Sequence, residues 1–383
     1  MENIKFGAKV VEKGTNEKGK FVLLDGTEFY PDGKGGQIGD RGKIGDSNVL
    51  YVSEENGKIV HYVDEFPTFE KVVCEIDGER RAEISALHTA QHILSAVLLK
   101  EFDTETVAFH MSENACTIDV QNNSLQINFD KVEALVNSVV FSDIPVKKYF
   151  VSEEELKKLN IRKKHDVHGK IRIVEIPGVD ISLCGGTHVE KTGEIGLVKI
   201  VKTEKVKKQF LRIYFTARMR TLKLFQEKLS ILKELSKMLT SGDSELVSKI
   251  QKMSGEIKSL KKENKILKQF FLKGIISEML LKGEKFTEKS VNLKKLDFMS
   301  LIAMLSREKT DKVFLVYSGE SFLIGLAKGA NCTLNFNDLF KNFFEERRGK
   351  GILKKDFLFA EFSSAEDFNW AKQLLSQKIS SLL

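Results

Sequence analysis

Four residues, in two pairs, carry the chemistry this chain is equipped to do. His88 and His92 stand four apart, and Cys184 and His188 stand four apart far downstream. Imidazole nitrogen and thiolate sulfur are the donors that suit Zn²⁺, and three imidazoles with one thiolate make a tetrahedral set. Neither pair suffices alone. A single His-x-x-x-His on an apolar helix is as readily a pair of core histidines, but a second pair at matching spacing turns the reading to a metal.

The elements around the pairs must bring them together. His88 and His92 lie in a stretch from Glu83 to Leu99 that is dense in Ala and Leu and free of Gly and Pro, which predicts a buried helix with both imidazoles on one face. Between Cys184 and His188, Gly185 and Gly186 break any helix, so a turn can aim thiolate and imidazole at one point. Cys74, Cys116 and Cys332 have no such company and read as small buried residues.

Composition sets wide bounds. A chain of 383 residues with 42% hydrophobic and 30% charged residues is long enough for two or three domains and is neither fibrous nor disordered. It has no apolar run of membrane-spanning length and no signal peptide at Met1–Gly7, so a cytoplasmic protein with no membrane partner is expected. The net charge of +7, from 61 basic and 54 acidic residues, permits a polyanionic partner. Its placement says more, because Lys199, Lys202, Lys205, Lys207, Lys208 and Arg212 crowd the region after the Cys-Gly-Gly-Thr-His turn.

Along the chain the expected fold class is α+β and multidomain. Short strands punctuated by Gly, Asn and Asp predict a small β-barrel over 1–78, with a glycine-rich loop at 29–42 that holds Gln37. An α+β zinc domain follows over 79–218, with helices at 130–140 and at 152–156, where Ser152 and Glu155 form a capping box, and with strands at 171–176, 195–201 and 209–215. From 219 to 283 Leu stripes predict an antiparallel helical hairpin; Leu246, Ile250, Met253, Ile257, Leu260, Asn264, Leu267 and Phe271 keep a coiled-coil a/d step. A small α/β domain over 284–383 has a β-hairpin at 312–327, a helix at 336–346, a basic loop at 347–355 with Arg347, Arg348 and Lys350, a strand at 357–362 and a last helix.

The segment Ile173-Val-Glu-Ile-Pro-Gly-Val-Asp180, then Cys184-Gly-Gly-Thr-His-Val, then Gly193-Glu-Ile-Gly-Leu-Val-Lys-Ile200, resembles the signature of the alanyl-tRNA synthetase editing domain. The barrel with its Gly-Gly-Gln loop and the tail resemble the parts that flank that domain, and nothing precedes the barrel that could aminoacylate. The whole chain therefore resembles a free-standing editing protein of the long AlaX type. That resemblance implies zinc on His88, His92, Cys184 and His188, a Gly-Gly-Gln loop facing the metal, and hydrolysis of tRNA(Ala) mischarged with Ser or Gly.

Two departures from the family stand out: Gln91 replaces a common Thr, and the tail's glycine run is reduced to Gly349 and Gly351. Sparing Ala while taking Ser needs a partner for the serine hydroxyl, and Gln37 and Gln91 are the candidates. Lys205, Lys207, Lys208, Arg347, Arg348 and Lys350 are the candidates for tRNA phosphates, and the coiled coil or the tail could pair two copies. Four protein ligands would close a zinc site, so the alternative is a catalytically inactive, zinc-containing tRNA-binding protein.

Overall fold

The computed structural model describes residues 2–121, 127–163, 169–206, 209–346 and 349–383, and Arg347, Arg348, Lys207 and Lys208 lie outside these. The chain divides into two compact units, Met1–Leu235 and Ser236–Leu383.

The first unit opens with six strands, β1 (Ile4–Asn16), β2 (Gly19–Leu24), β3 (Gly42–Ile44), β4 (Ser47–Glu55), β5 (Lys58–Val63) and β6 (Lys71–Ile76). Their antiparallel ladders close in the order β1-β2-β5-β4-β3-β6. Val22, Ile44, Val52 and Ile76 fill the interior, together with Cys74 and Phe29. His61 is buried there too, between the Thr27 hydroxyl at 2.9 Å and the Val22 carbonyl at 3.2 Å.

Helix α1 (Gly78–Phe102) is longer than the stretch that predicts it, because Asp77 caps it by accepting from the Arg80 amide. It is apolar nearly all round and correspondingly buried nearly all round. Leu87, Ile93, Leu94 and Leu98 are fully buried. At roughly 1.5–3 kcal/mol each, their burial anchors the helix more than its propensity does. Around it stand β7 (Thr106–Met111), β8 (Cys116–Gln121), α2 (Phe129–Phe141), β9 (Lys147–Val151), α3 (Glu153–Leu156), β10 (Ile171–Ile176), β11 (Asp180–Leu183), β12 (Lys199–Val206) and β13 (Phe210–Thr216). One sheet runs β12-β13-β8-β7 and another β11-β10-β9. The Ser152–Glu155 capping box forms at α3.

Two strand expectations are corrected. Residues 192–195 form a 3₁₀ turn, so β12 starts only at Lys199. Asp180–Leu183, for which no element is expected, is a strand because it pairs with β10 from Ile173↔Leu183 to Ile176↔Asp180. Helix α4 (Arg218–Leu239) follows, and the division between the units falls within it.

The second unit contains α5 (Leu246–Leu281), β14 (Phe286–Ser290), α6 (Lys295–Leu305), β15 (Val313–Ser318), β16 (Leu323–Lys328), α7 (Phe336–Leu339), α8 (Phe343–Glu346), β17 (Lys350–Leu353), β18 (Phe357–Glu361) and α9 (Ala365–Ser380). Its sheet runs β14-β15-β16-β18-β17, with β14 parallel to β15. The end of α5 buries Leu272, Ile275, Ile276 and Met279 in a cluster with α6 residues Phe298 and Ile302. Earlier along α5, Ile250, Met253, Ile257, Leu260 and Leu267 form an exposed apolar seam. The helix expected over 336–346 is two short helices, broken where Phe340 leaves helical geometry. The loop expected at 347–355 is also corrected, for Lys350–Leu353 is an edge strand on β18, with Lys350 exposed.

Candidate metal centre

His88 and His92 project from the buried middle of α1, one turn apart as the helical repeat requires. Cys184 follows the last residue of β11, and His188 ends the turn after it. The ligand atoms of the four residues lie within 4.8 Å of one another. The Cys184 Sγ stands 3.4 Å from His88 Nε2 and 3.2 Å from His188 Nε2. An ion held at tetrahedral angles, at ordinary zinc–nitrogen and zinc–sulfur lengths, implies a nitrogen-to-sulfur edge of about 3.5 Å. The donor set therefore fits such an ion in number, chemistry and spacing.

Each imidazole turns its other nitrogen outward to a different acceptor. His88 Nδ1 donates to Gln37 Oε1 at 2.7 Å, His92 Nδ1 to Asp180 Oδ2 at 2.8 Å, and His188 Nδ1 to Thr89 Oγ1 at 3.1 Å. The Thr89 hydroxyl spends its own proton on the Ser85 carbonyl at 2.8 Å, which leaves it an acceptor for His188. With every Nδ1 protonated, each Nε2 lone pair is free to face inward, as metal-bound histidines require.

The turn is held as firmly as the helix. Arg172 on β10 donates from Nη1 to the carbonyls of Cys184 and Gly186, both at 2.8 Å. At Gly186 an added Cβ would stand 2.2 Å from His88 Cε1 and 2.7 Å from Gln37 Oε1, so only glycine fits. The loop after β2 is tied to α1 through Arg80, which donates to the Gly39 carbonyl at 3.0 Å, and through the Arg81–Asp40 ion pair. At Gly36, with φ +77°, an added Cβ would stand 2.9 Å from the ring and the carbonyl of Phe109, so the loop packs where a side chain would begin. That approach delivers Gln37 beside the cluster.

Electrostatics suit the donors. Burial opposes ionisation of Cys184, but the imidazoles of His188, His88 and His92 that face its sulfur overcome it and hold the thiol far below its ordinary range, as a thiolate. Burial pushes His88 and His188 down, towards neutral imidazole. For His92 burial also acts downward, yet the Asp180 and Cys184 hydrogen bonds prevail and raise it. Without an ion the cluster thus holds a thiolate beside an imidazolium; a metal would take that proton's place.

A cavity of about 230 Å³ opens beside the cluster, lined by His88, Gln91, His92, Phe109, Arg162 and Cys184 among others. A second, of about 530 Å³, lies against the turn and is lined by Tyr30, Lys148, Arg172 and His188 among others. Gln91 is buried on the wall of the smaller cavity, with Nε2 donating to Ser95 Oγ at 2.8 Å. Gln37 has both ends of its amide engaged: Oε1 accepts from His88 and from the Thr187 amide at 2.9 Å, and Nε2 donates to Thr187 Oγ1 at 3.1 Å. Lys205 is exposed on β12.

Sequence reasoning missed Asp180, Thr89, Arg162 and Arg172 as partners of this site. The only signal was that Asp180 and Thr89 lie within the two ligand-bearing stretches.

Residues 171–214 match the family described as the threonyl and alanyl tRNA synthetase second additional domain. Over 90% of its length the chain is 31% identical to the alanyl-tRNA editing protein AlaX-L of Pyrococcus horikoshii, of which it covers 88%. It is 37% identical to AlaX-M of Methanosarcina barkeri, across 54% of this chain and 91% of that protein. An alanine–tRNA ligase from Thermofilum pendens is 31% identical over 87% of this chain, which spans 38% of the ligase.

Proposed function

Given that this chain belongs to the alanyl-tRNA editing proteins of the long AlaX type, we propose that it is a zinc-dependent hydrolase acting in trans on tRNA(Ala) mischarged with Ser or Gly. The observation that carries the reading is the convergence of three imidazoles and one thiolate, their ligand atoms within 4.8 Å of one another and each ring held from behind, beside a cavity of about 230 Å³. At about 30 Å³ per water, that space takes a small aminoacyl group with several waters.

An aminoacyl ester is already activated, so the site must position it, admit water and stabilise the developing oxyanion. His88, His92, Cys184 and His188 would hold Zn²⁺, which when bound supplies Lewis acidity toward the ester and water. Gln91, on the cavity wall, would meet a serine hydroxyl, a role its position lining the cavity supports. Gln37 acts at one remove, fixing His88 and the Thr187 amide.

We assign the remaining parts to tRNA. Residues 1–78 and 79–218 form the barrel and the editing domain, 219–283 a coiled-coil linker and 284–383 a tail. Lys205, Lys207 and Lys208, with Arg347, Arg348 and Lys350, meet the phosphate backbone. The exposed seam of α5 supports coiled-coil pairing, either as a hairpin or between two copies. No helix among the described residues is long and apolar enough to cross a membrane.

The test is deacylation of Ser-, Gly- and Ala-charged tRNA(Ala) by the zinc-loaded protein and by a Cys184→Ala, His188→Ala variant. The wild type is expected to hold one zinc and to release Ser and Gly but not Ala; the variant should do neither. Tight binding of Ser-tRNA with the ester left intact would instead make this a zinc-containing RNA-binding protein with a closed, structural site.

A further inference from the structure

The three outward partners of the histidines are not equivalent. His88 faces a neutral amide and His188 a hydroxyl, but His92 faces a carboxylate whose side chain is 1% exposed. A buried carboxylate is costly unless it is paired and fully hydrogen-bonded. Asp180 meets that condition. Oδ2 accepts from His92 Nδ1 and from Ser182 Oγ, both at 2.8 Å, while Oδ1 accepts from Arg162 Nε at 2.7 Å. Arg162 also reaches Ser182 Oγ at 3.1 Å through Nη2, so arginine, serine and aspartate form one closed group behind the ring.

Nothing in the local sequence requires Arg162 to be there. It lies outside helix and strand, and its backbone amide is fixed to β11 by donating to the Ile181 carbonyl at 2.9 Å. Strand β11 therefore sets all three members: Asp180 opens it, Ser182 follows on the same face, and Ile181 anchors the arginine. A carboxylate on the far nitrogen of a metal-binding imidazole fixes its tautomer and raises its donor strength above what an amide or a hydroxyl gives.

We propose that Asp180 and Arg162 are positioning residues for the metal centre, the pair that orients His92 and makes it the strongest of the three nitrogen donors. The inference rests on the metal-binding reading of the four-residue cluster. Two substitutions test it in the full chain: D180N, which keeps shape and an acceptor but removes the charge, and D180N/R162Q, which leaves no unpaired buried charge.

Zinc affinity is measured by competition with a chromophoric chelator, and the cadmium-substituted proteins are compared by cadmium NMR. Loss of a partner of this kind typically weakens metal binding about 10- to 100-fold. That loss is expected in both variants, with a shifted cadmium resonance and no loss of fold in the double variant. Affinities within twofold of wild type and an unmoved resonance would overturn the proposal while leaving the metal centre intact. A wild-type protein that takes up neither zinc nor cadmium would overturn the metal reading, and this inference with it.

Discussion

At the scale of single residues, the centre depends on atoms that are missing as much as on those present. Gly186 leaves the space that His88 occupies, and a methyl group there would sit 2.4 Å from its Nδ1, the atom bonded to Gln37. Gly186→Ala should therefore displace His88, lower zinc content below one per chain and destabilise the fold by about 1–3 kcal/mol. Metal analysis with thermal unfolding decides it, and an alanine variant with full zinc and a wild-type melting temperature would refute it. Gln91→Ala should narrow the preference for Ser over Ala by about 1–3 kcal/mol, read as the ratio of deacylation rates on the two charged tRNAs. Of this layer, the four clustered residues were legible because donors of this kind are confined to a few residue types, here at helical or turn spacing. Their partners were not: Arg162 and Asp180 share no motif, and only the pairing of β11 with β10 brings the aspartate to His92.

At the scale of elements, periodicity told most where the pairing partners are local. Helix α1 announced itself through Ala and Leu, and α3 through its capping box. Strand β6 went unread because it pairs with β1 and β3, far away in sequence, and β11 because its four residues become a strand only by pairing. The barrel adds a titration that no pattern reveals. Burial depresses His61 to about 4, against 6.5 for an exposed histidine. The unfolded chain takes up this proton below pH 6.5 and the folded one only near pH 4, so the stability His61 confers is complete above 6.5 and is lost as pH falls between those values. Between about pH 7 and about pH 5 the loss is about 2 kcal/mol. Urea unfolding of wild type and His61→Gln at the two pH values should show a shallower pH dependence in the variant by that amount; parallel behaviour would contradict it.

At the scale of the whole molecule, chemistry and grip should separate. All four residues of the cluster and their partners lie within the first compact unit, residues 1–235. A protein truncated after Leu235 should still deacylate saturating Ser-tRNA(Ala), but bind it more weakly and with a flatter dependence on salt, by roughly 0.7–0.9 in the logarithmic slope for each phosphate no longer neutralised. Filter binding across a salt series measures this, and an unchanged slope would assign the second unit another task. The long reach of the Cys184–His88 pairing, 96 residues apart in the chain, also has a consequence in time. A ribosome adds about 5–20 residues per second, so the histidines of α1 emerge roughly 5–20 s before the cysteine that completes them. Throughout that interval the nascent chain holds half of the cluster, and the contacts of β11 with α1 must wait for the second half to emerge.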